Sequence, residues 1–267
     1  MALISRWRGQ RRWSGNSCMA VMAVGIVLAS MPFAEASERR TELEISQRYE
    51  HLDNGLSAWQ AQRLDAQTRT VQGATWYGAV LRERRYGRWE EGVEAGAALP
   101  IGEHWVIQPE VAKSFDGDFL PSWYADLRIQ RALTAGWVAN ASVRRTQYTD
   151  SQVDRLALGG ERYWGGWRGA YTLNVSDVAG AGTPVGHAVA LDYYYSDRSF
   201  VGLRGNLGRE EEALPEGSVF TSSVSGAGLR GRHWLDEDWA VSWDVGWLSQ
   251  GEIYNRYGIQ VGIRRAF

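Results

Sequence analysis

Few residues of this 267-residue chain have the types and spacing that chemistry needs. The four histidines, His51, His104, His187 and His233, fall in no H-x-x-x-H or other metal-ligand spacing. Ser196, Ser199 and Ser249 lie beside turn-like segments, where an interfacial hydrolase or acyltransferase would hold its nucleophile. No local motif ties any of them to a histidine. Gly159-Gly160 and Gly165-Gly166 sit in or next to strand-like segments, so they signal close packing and turns and not a phosphate loop. The single cysteine, Cys18, precedes an apolar run near the N-terminus, so the chain beyond it has no disulfide or Cys-ligated metal. A lipid anchor would place a cysteine after that run. Neither a metal nor a cofactor is expected.

What remains is charge, and charge becomes informative once the elements that carry it are known. From Ser37 onward no helical period stands out. Alternation of period two recurs between short turn clusters. Tyr257, Ile259, Val261, Ile263 and Phe267 share one face of the last segment, opposite Arg256, Gly258, Gln260, Gly262 and Arg264. Trp239, Val241, Trp243, Val245 and Trp247 oppose Ala240, Ser242, Asp244 and Gly246 in the same way. Marking every such segment predicts about fourteen strands, twelve being the alternative count. They lie near 41–51, 57–67, 75–83, 88–99, 105–114, 122–130, 136–146, 153–162, 167–176, 187–195, 199–208, 220–232, 239–248 and 256–267, the first two being the least regular.

The connections separate into two kinds. Those at 100–104, 131–135, 163–166, 196–198 and 234–238 are short, and the interleaved ones at 115–121, 147–152, 177–186, 209–219 and 249–255 are mostly longer. Short periplasmic turns alternating with longer outer loops, on an even strand number, are the signature of a transmembrane barrel. Composition agrees. Mean hydropathy is only −0.37, because a barrel strand needs an apolar residue only at every second position. No segment beyond the leader approaches the roughly 18 consecutive apolar residues of a membrane helix. Trp and Tyr together reach 26 residues, and both favour the boundary between lipid and water. Trp105, Trp137, Trp167 and Trp239 each open a strand directly after a short turn, which sets them at one boundary; Trp89 and Trp123 open strands that descend from the other. A soluble sandwich with the same pattern would expose a large apolar band. In lipid such strands can span only as a closed barrel, because every backbone polar group must be paired within the protein.

The first 36 residues carry the pattern of a secretory leader. Arg6, Arg8, Arg11 and Arg12 precede the apolar run from Met19 to Met31, and Ala34-Glu35-Ala36 fits a cleavage site, giving a mature chain from Ser37 to Phe267. Without the leader, 25 basic residues stand against 30 acidic ones, a net charge of about −5, which opposes a general nucleic-acid surface.

The segment LGGERYWGGW from Leu158 to Trp167, the strand after it and the Asp192–Tyr195 motif resemble the YaiO family of outer-membrane β-barrel proteins. So do the segment 82–87, Trp89, Leu99, Pro100 and Trp123. The resemblance covers nearly all of the mature chain and rests on barrel patterns, not catalytic ones. It implies a location and a fold and carries no reaction. Some members of the family have helical repeats ahead of the barrel; here about five residues separate Ser37 from the first strand, so such a domain is not expected. The terminal Phe267, with Tyr257 and the aliphatic residues between them, resembles the C-terminal signal of the barrel assembly machinery.

The fold expected is all-β: a single antiparallel up-and-down transmembrane barrel exported to the outer membrane. Its register turns Glu90, Glu94, Glu110 and Asp126 inward on neighbouring strands. Arg128, Arg144, Arg155 and Arg168 follow, then Arg204, Arg230, Arg232 and Arg264 with Asp244 among them. Two readings arise. An acidic wall facing a mainly basic one would orient polar or saccharide solutes in a pore or export conduit. Alternatively the charges pair across the lumen and plug it, leaving a structural envelope component. An outer-leaflet lipid- or glycan-modifying barrel enzyme is the runner-up. Expected partners are outer-membrane lipid, lipopolysaccharide and the assembly machinery.

Overall fold

A computed structural model describes residues 39–117, 119–178, 182–213 and 219–267, and the side chains of 210–221 are not described. The leader and the cleavage point before Ser37 lie outside the described residues. The strands are β1 (Arg40–Leu52), β2 (Trp59–Arg69), β3 (Thr75–Arg85), β4 (Arg88–Ile101), β5 (Trp105–Ser114), β6 (Trp123–Ala132) and β7 (Trp137–Gln147). They continue as β8 (Gln152–Trp164), β9 (Trp167–Val178), β10 (Val185–Tyr194), β11 (Phe200–Ala213), β12 (Val219–Trp234), β13 (Trp239–Gln250) and β14 (Tyr254–Ala266). Each pairs antiparallel with its sequence neighbours, and β1 pairs with β14, so the sheet closes without an edge. At about 4.8 Å between strands and a tilt of about 40°, fourteen strands enclose a ring roughly 28 Å across between opposite backbones.

Alternation dictates the two faces. Leu43, Ile45 and Tyr49 of β1, Val80 of β3 and Ile259, Val261 and Ile263 of β14 lie exposed on the convex side, where the solvent is lipid. Their neighbours in sequence line the concave side and, Leu81 apart, are polar, glycine or alanine. The turns on the side of the chain ends are short, and that side is the periplasmic one. On the opposite side Tyr86 and Gly87 join β3 to β4 with φ of 52° and 81°. Two consecutive positive φ values are what a two-residue hairpin needs to match strand twist. Tyr86 tolerates this non-glycine conformation while its ring packs edge-on against Trp59, 5.9 Å between centroids.

The predicted ends agree with the observed ones to within a few residues, with one exception. The outer segment 209–219 is largely strand: Arg209 to Ala213 pair with Ser223 to Val219. Glu210, Glu211 and Glu212 are thus on a strand extension and not in an open loop. Above the membrane both faces of a hairpin are wet, so apolar alternation vanishes there although the backbone ladder continues. Pro109 shows the converse. It interrupts the ladder between β4 and β5, whose paired positions lapse between Gly96↔Glu110 and Leu99↔Ile107, since proline has no N–H to give. The Tyr77 hydroxyl bridges the place from β3. It accepts from Gln108 Nε2 and donates to Glu110 Oε2, both at 3.0 Å.

Candidate functional site

The lumen collects most of the charges the strands carry. The structure places all thirteen predicted residues on the concave face: Glu90 and Glu94 on β4, Glu110 on β5, Asp126 and Arg128 on β6, Arg144 on β7, Arg155 on β8, Arg168 on β9, Arg204 on β11, Arg230 and Arg232 on β12, Asp244 on β13 and Arg264 on β14. It adds Glu42, Glu44, Arg48, Glu50, Arg63, Asp65, Glu83, Arg85, Glu161 and Asp192 to that face. These come largely from β1 to β3. The outward face of β2 reads Gln60, Gln62, Leu64, Ala66 and Thr68, so the contrast between its two faces is weak. Parity within the strand was the signal that would have found them.

The expected division into an acidic and a basic wall is not what forms. Carboxylates and guanidinium groups are intermixed, and they neutralise one another along the wall. Arg264 donates to Glu42 and Glu44 at 2.6 Å each, across the seam between β14 and β1. Arg63 reaches Asp65 at 2.7 Å on its own strand and Glu94 at 2.5 Å on β4. Arg144 holds Asp126 at 2.8 Å and Glu110 at 3.2 Å; Glu110 also accepts from the hydroxyls of Tyr77 and Tyr124. Arg168 sits between Glu161 and Asp192 at 2.8 and 2.7 Å, and Arg230 completes the node at 2.9 Å from Asp192. Arg204 pairs with Asp244, and Arg48 and Arg85 with Glu83. Each of these ion pairs joins residues of one strand or of strands no more than two apart. None crosses the barrel, because neighbouring strands are far closer than opposite walls.

The outer mouth is built differently. Leu52, Trp59 and Tyr254 form a buried apolar cluster on the inner side of the outer strand ends. The β5–β6 connection turns inward and buries Phe119 and Leu120. Glu90 clasps it, its two carboxylate oxygens accepting from the backbone N–H groups of Phe119 and Leu120 at 2.8 and 2.9 Å. Thr149 Oγ1 donates to the Gly117 carbonyl from the next loop at 2.7 Å. The Arg85 guanidinium lies over both the Trp59 and Phe119 rings, 4.8 and 5.3 Å from their centroids. An aromatic and cationic lid thus covers part of the mouth above a charged lumen.

On the lipid side Trp105, Trp137, Trp167 and Trp239 are all outward and exposed at the periplasmic ends of their strands, and Trp89 and Trp123 face outward at the outer ends. Three of the periplasmic four share a device that the sequence pattern did not reveal. The residue directly opposite is an arginine whose guanidinium covers the ring: Arg131 on Trp105, Arg162 on Trp137 and Arg265 on Trp239. Trp167 has Tyr193 instead, at 4.8 Å. Tyr257 is exposed on the outward face of β14. Phe267 closes the seam, exchanging two backbone hydrogen bonds with Thr41.

No group of three or more metal-ligating side chains occurs among the described residues. His233 accepts from Trp243 Nε1 at 2.7 Å on its Nε2 and contacts the Tyr195 hydroxyl through Nδ1, and His187 pairs with Tyr171. The Ser199 hydroxyl instead accepts from the Trp234 backbone N–H at 3.0 Å.

Residues 40–213 match the YaiO membrane beta barrel domain family. No curated protein matches the chain in sequence. Among solved structures, the outer membrane protein Omp33 of Acinetobacter baumannii is similar over 84% of this chain and 98% of its own, at 12% identity and a TM-score of 0.53. The anion-selective porin from Comamonas acidovorans is similar over 86% of this chain and 99% of its own, at 10% identity and a TM-score of 0.49. For a KdgM porin the figures are 84% and 99%, 14% and 0.45. At these identities the likeness concerns fold alone. Because the family match runs from β1 through β11, across most of the closed sheet, the chain belongs to the YaiO family of membrane β-barrels, and its place is the outer membrane.

Proposed function

We propose that this barrel is a gated diffusion pore for small polar solutes, saccharides among them, and not an enzyme. The observation that carries the reading is the pairing of lumenal charges along the wall. A plug of ion pairs would bridge opposite strands, whereas pairs along the wall leave the axis open to water and line it with hydrogen-bonding groups. Flow is controlled at the outer mouth, where the segment at Phe119 and Leu120, turned inward, and the apolar cluster constrict the path. Glu90 is the latch, since its carboxylate holds two N–H groups of that segment. In the same reading outer-membrane lipid and lipopolysaccharide surround the Trp-bearing rims, and the assembly machinery reads the C-terminal strand.

The test is conductance in planar bilayers. Wild type gives low or flickering conductance. Glu90→Gln weakens one charge-assisted acceptor, and deletion of 116–121 removes the segment; both raise the open fraction several-fold. If both variants and the wild type are electrically silent in pure form, the pore reading fails.

A further inference from the structure

Partnership in the lumen is lopsided. Every lumenal carboxylate among the described side chains has a cationic, hydroxyl or N–H partner. Three arginines of the same face, Arg128, Arg155 and Arg232, make neither an ion pair nor a hydrogen bond with the described residues. The Nε atoms of Arg155 and Arg232 are buried and without a partner. A buried donor left unsatisfied is rare enough to ask what fills it.

Two of the three lie together. Arg155 on β8 is directly opposite Arg144 on β7, and Arg128 on β6 is directly opposite Ser142, two residues along β7 from Arg144. Arg144 is already neutralised by Asp126 and Glu110. Arg128 and Arg155 therefore flank Ser142 and Arg144 from either side, with their Cα atoms about 12 Å apart, two strand spacings across and two residues along. That separation lets two long side chains converge on one group between them. Like charges directly opposite one another disfavour a sheet, and an anion in the gap would turn that repulsion into attraction. Arg232 has no second free cation beside it; its surroundings on β12 to β14 and β1 hold the Arg264, Glu42 and Glu44 node.

We infer that Arg128 and Arg155 form an oxyanion-binding site in the lumen, and that the solute for which this barrel is built carries a carboxylate or a phosphate. A planar guanidinium donates two parallel hydrogen bonds to either group, and two guanidinium groups would hold it from both sides. The inference rests on the pore reading for its biological sense. The site itself can be tested without conduction.

The experiment is calorimetric titration of the refolded mature barrel in detergent micelles with glucose 6-phosphate, glucuronate and glucose. Expected are saturable binding of the charged sugars and none of glucose. A preference for one of the two names the oxyanion. Replacing Arg128→Gln and Arg155→Gln together weakens binding at least tenfold. Arg145→Gln, on the lipid face, leaves it unchanged, and far-UV circular dichroism verifies folding of each variant. The site is refuted if wild type binds neither charged sugar, or if the double variant binds them as tightly as wild type. Reversal potentials under a potassium chloride gradient separate the two claims. A barrel that binds the anions and passes no current sinks the pore reading alone, and one that conducts but binds neither anion sinks the site alone.

Discussion

At the scale of single residues, the most demanding position is Asp192. It is fully buried and accepts from Arg168 and Arg230 on the two sides of its strand. Gly202 faces it on β11, where a Cβ would collide with the Asp192 carboxylate, so any larger residue there would have to displace that carboxylate from its ion pairs. Removing one member of a buried ionic node leaves the others charged and unpaired, which costs about 3 kcal/mol or more. Asp192→Asn is therefore expected to lower the unfolding free energy of the barrel in lipid vesicles by about 3 kcal/mol, seen as a shifted guanidinium midpoint. An unshifted midpoint would show that lumenal water screens the node. Arg168 was legible from the alternation of its strand. Its dependence on Asp192 was not, since parity tells which way a side chain points and not which neighbour it meets.

At the scale of elements, the seam between β14 and β1 is fastened at both ends. At the outer end Asp53 accepts from the backbone N–H and the side-chain amide of Asn255, both at 2.8 Å. The backbone hydrogen bond first, and then the side-chain one, hold the Asp53 carboxyl below its ordinary range. A depressed folded pKa means that the stabilisation is complete above the unfolded value of about 3.9 and is lost as pH falls through the lower folded value. In an acid titration followed by NMR, the Asn255 amide shift is thus expected to move with a midpoint below 3.9; a midpoint at or above it would mean that the clasp does not form. The rims show what an element pattern can conceal. Recurrence of Trp at strand starts was visible in the sequence, but the arginines over the rings come from the ends of neighbouring strands, and only the register brings them there.

At the scale of the whole molecule, closure is the decisive property, since an open edge in lipid would leave a row of unpaired backbone groups. Phe267 contributes through its backbone: its N–H and carbonyl exchange with Thr41 at 2.8 and 3.2 Å. Deleting it removes two seam hydrogen bonds, worth about 2 kcal/mol together, and is expected to slow unaided folding into vesicles followed by gel mobility. Phe267→Ala keeps the backbone pair, so in the same assay it should fold at close to the wild-type rate. A side-chain variant as slow as the deletion would assign the effect to the aromatic ring instead.

The amino-acid order by itself narrowed the strand number to fourteen or twelve and determined the two faces and the lipid-facing aromatic rims, because period-two alternation and turn chemistry are local and each strand carries its own signal. It also determined which of the catalogued charges face inward. Only the tertiary structure decided how those charges are spent. Partners such as Arg63 and Glu94, Arg204 and Asp244, or Glu90 and the 115–122 segment lie on different strands or loops, and their meeting depends on register and on a connection folding inward. The same holds for Arg128 and Arg155: the order of residues makes them inward cations, and the closed sheet leaves them the pair without a carboxylate.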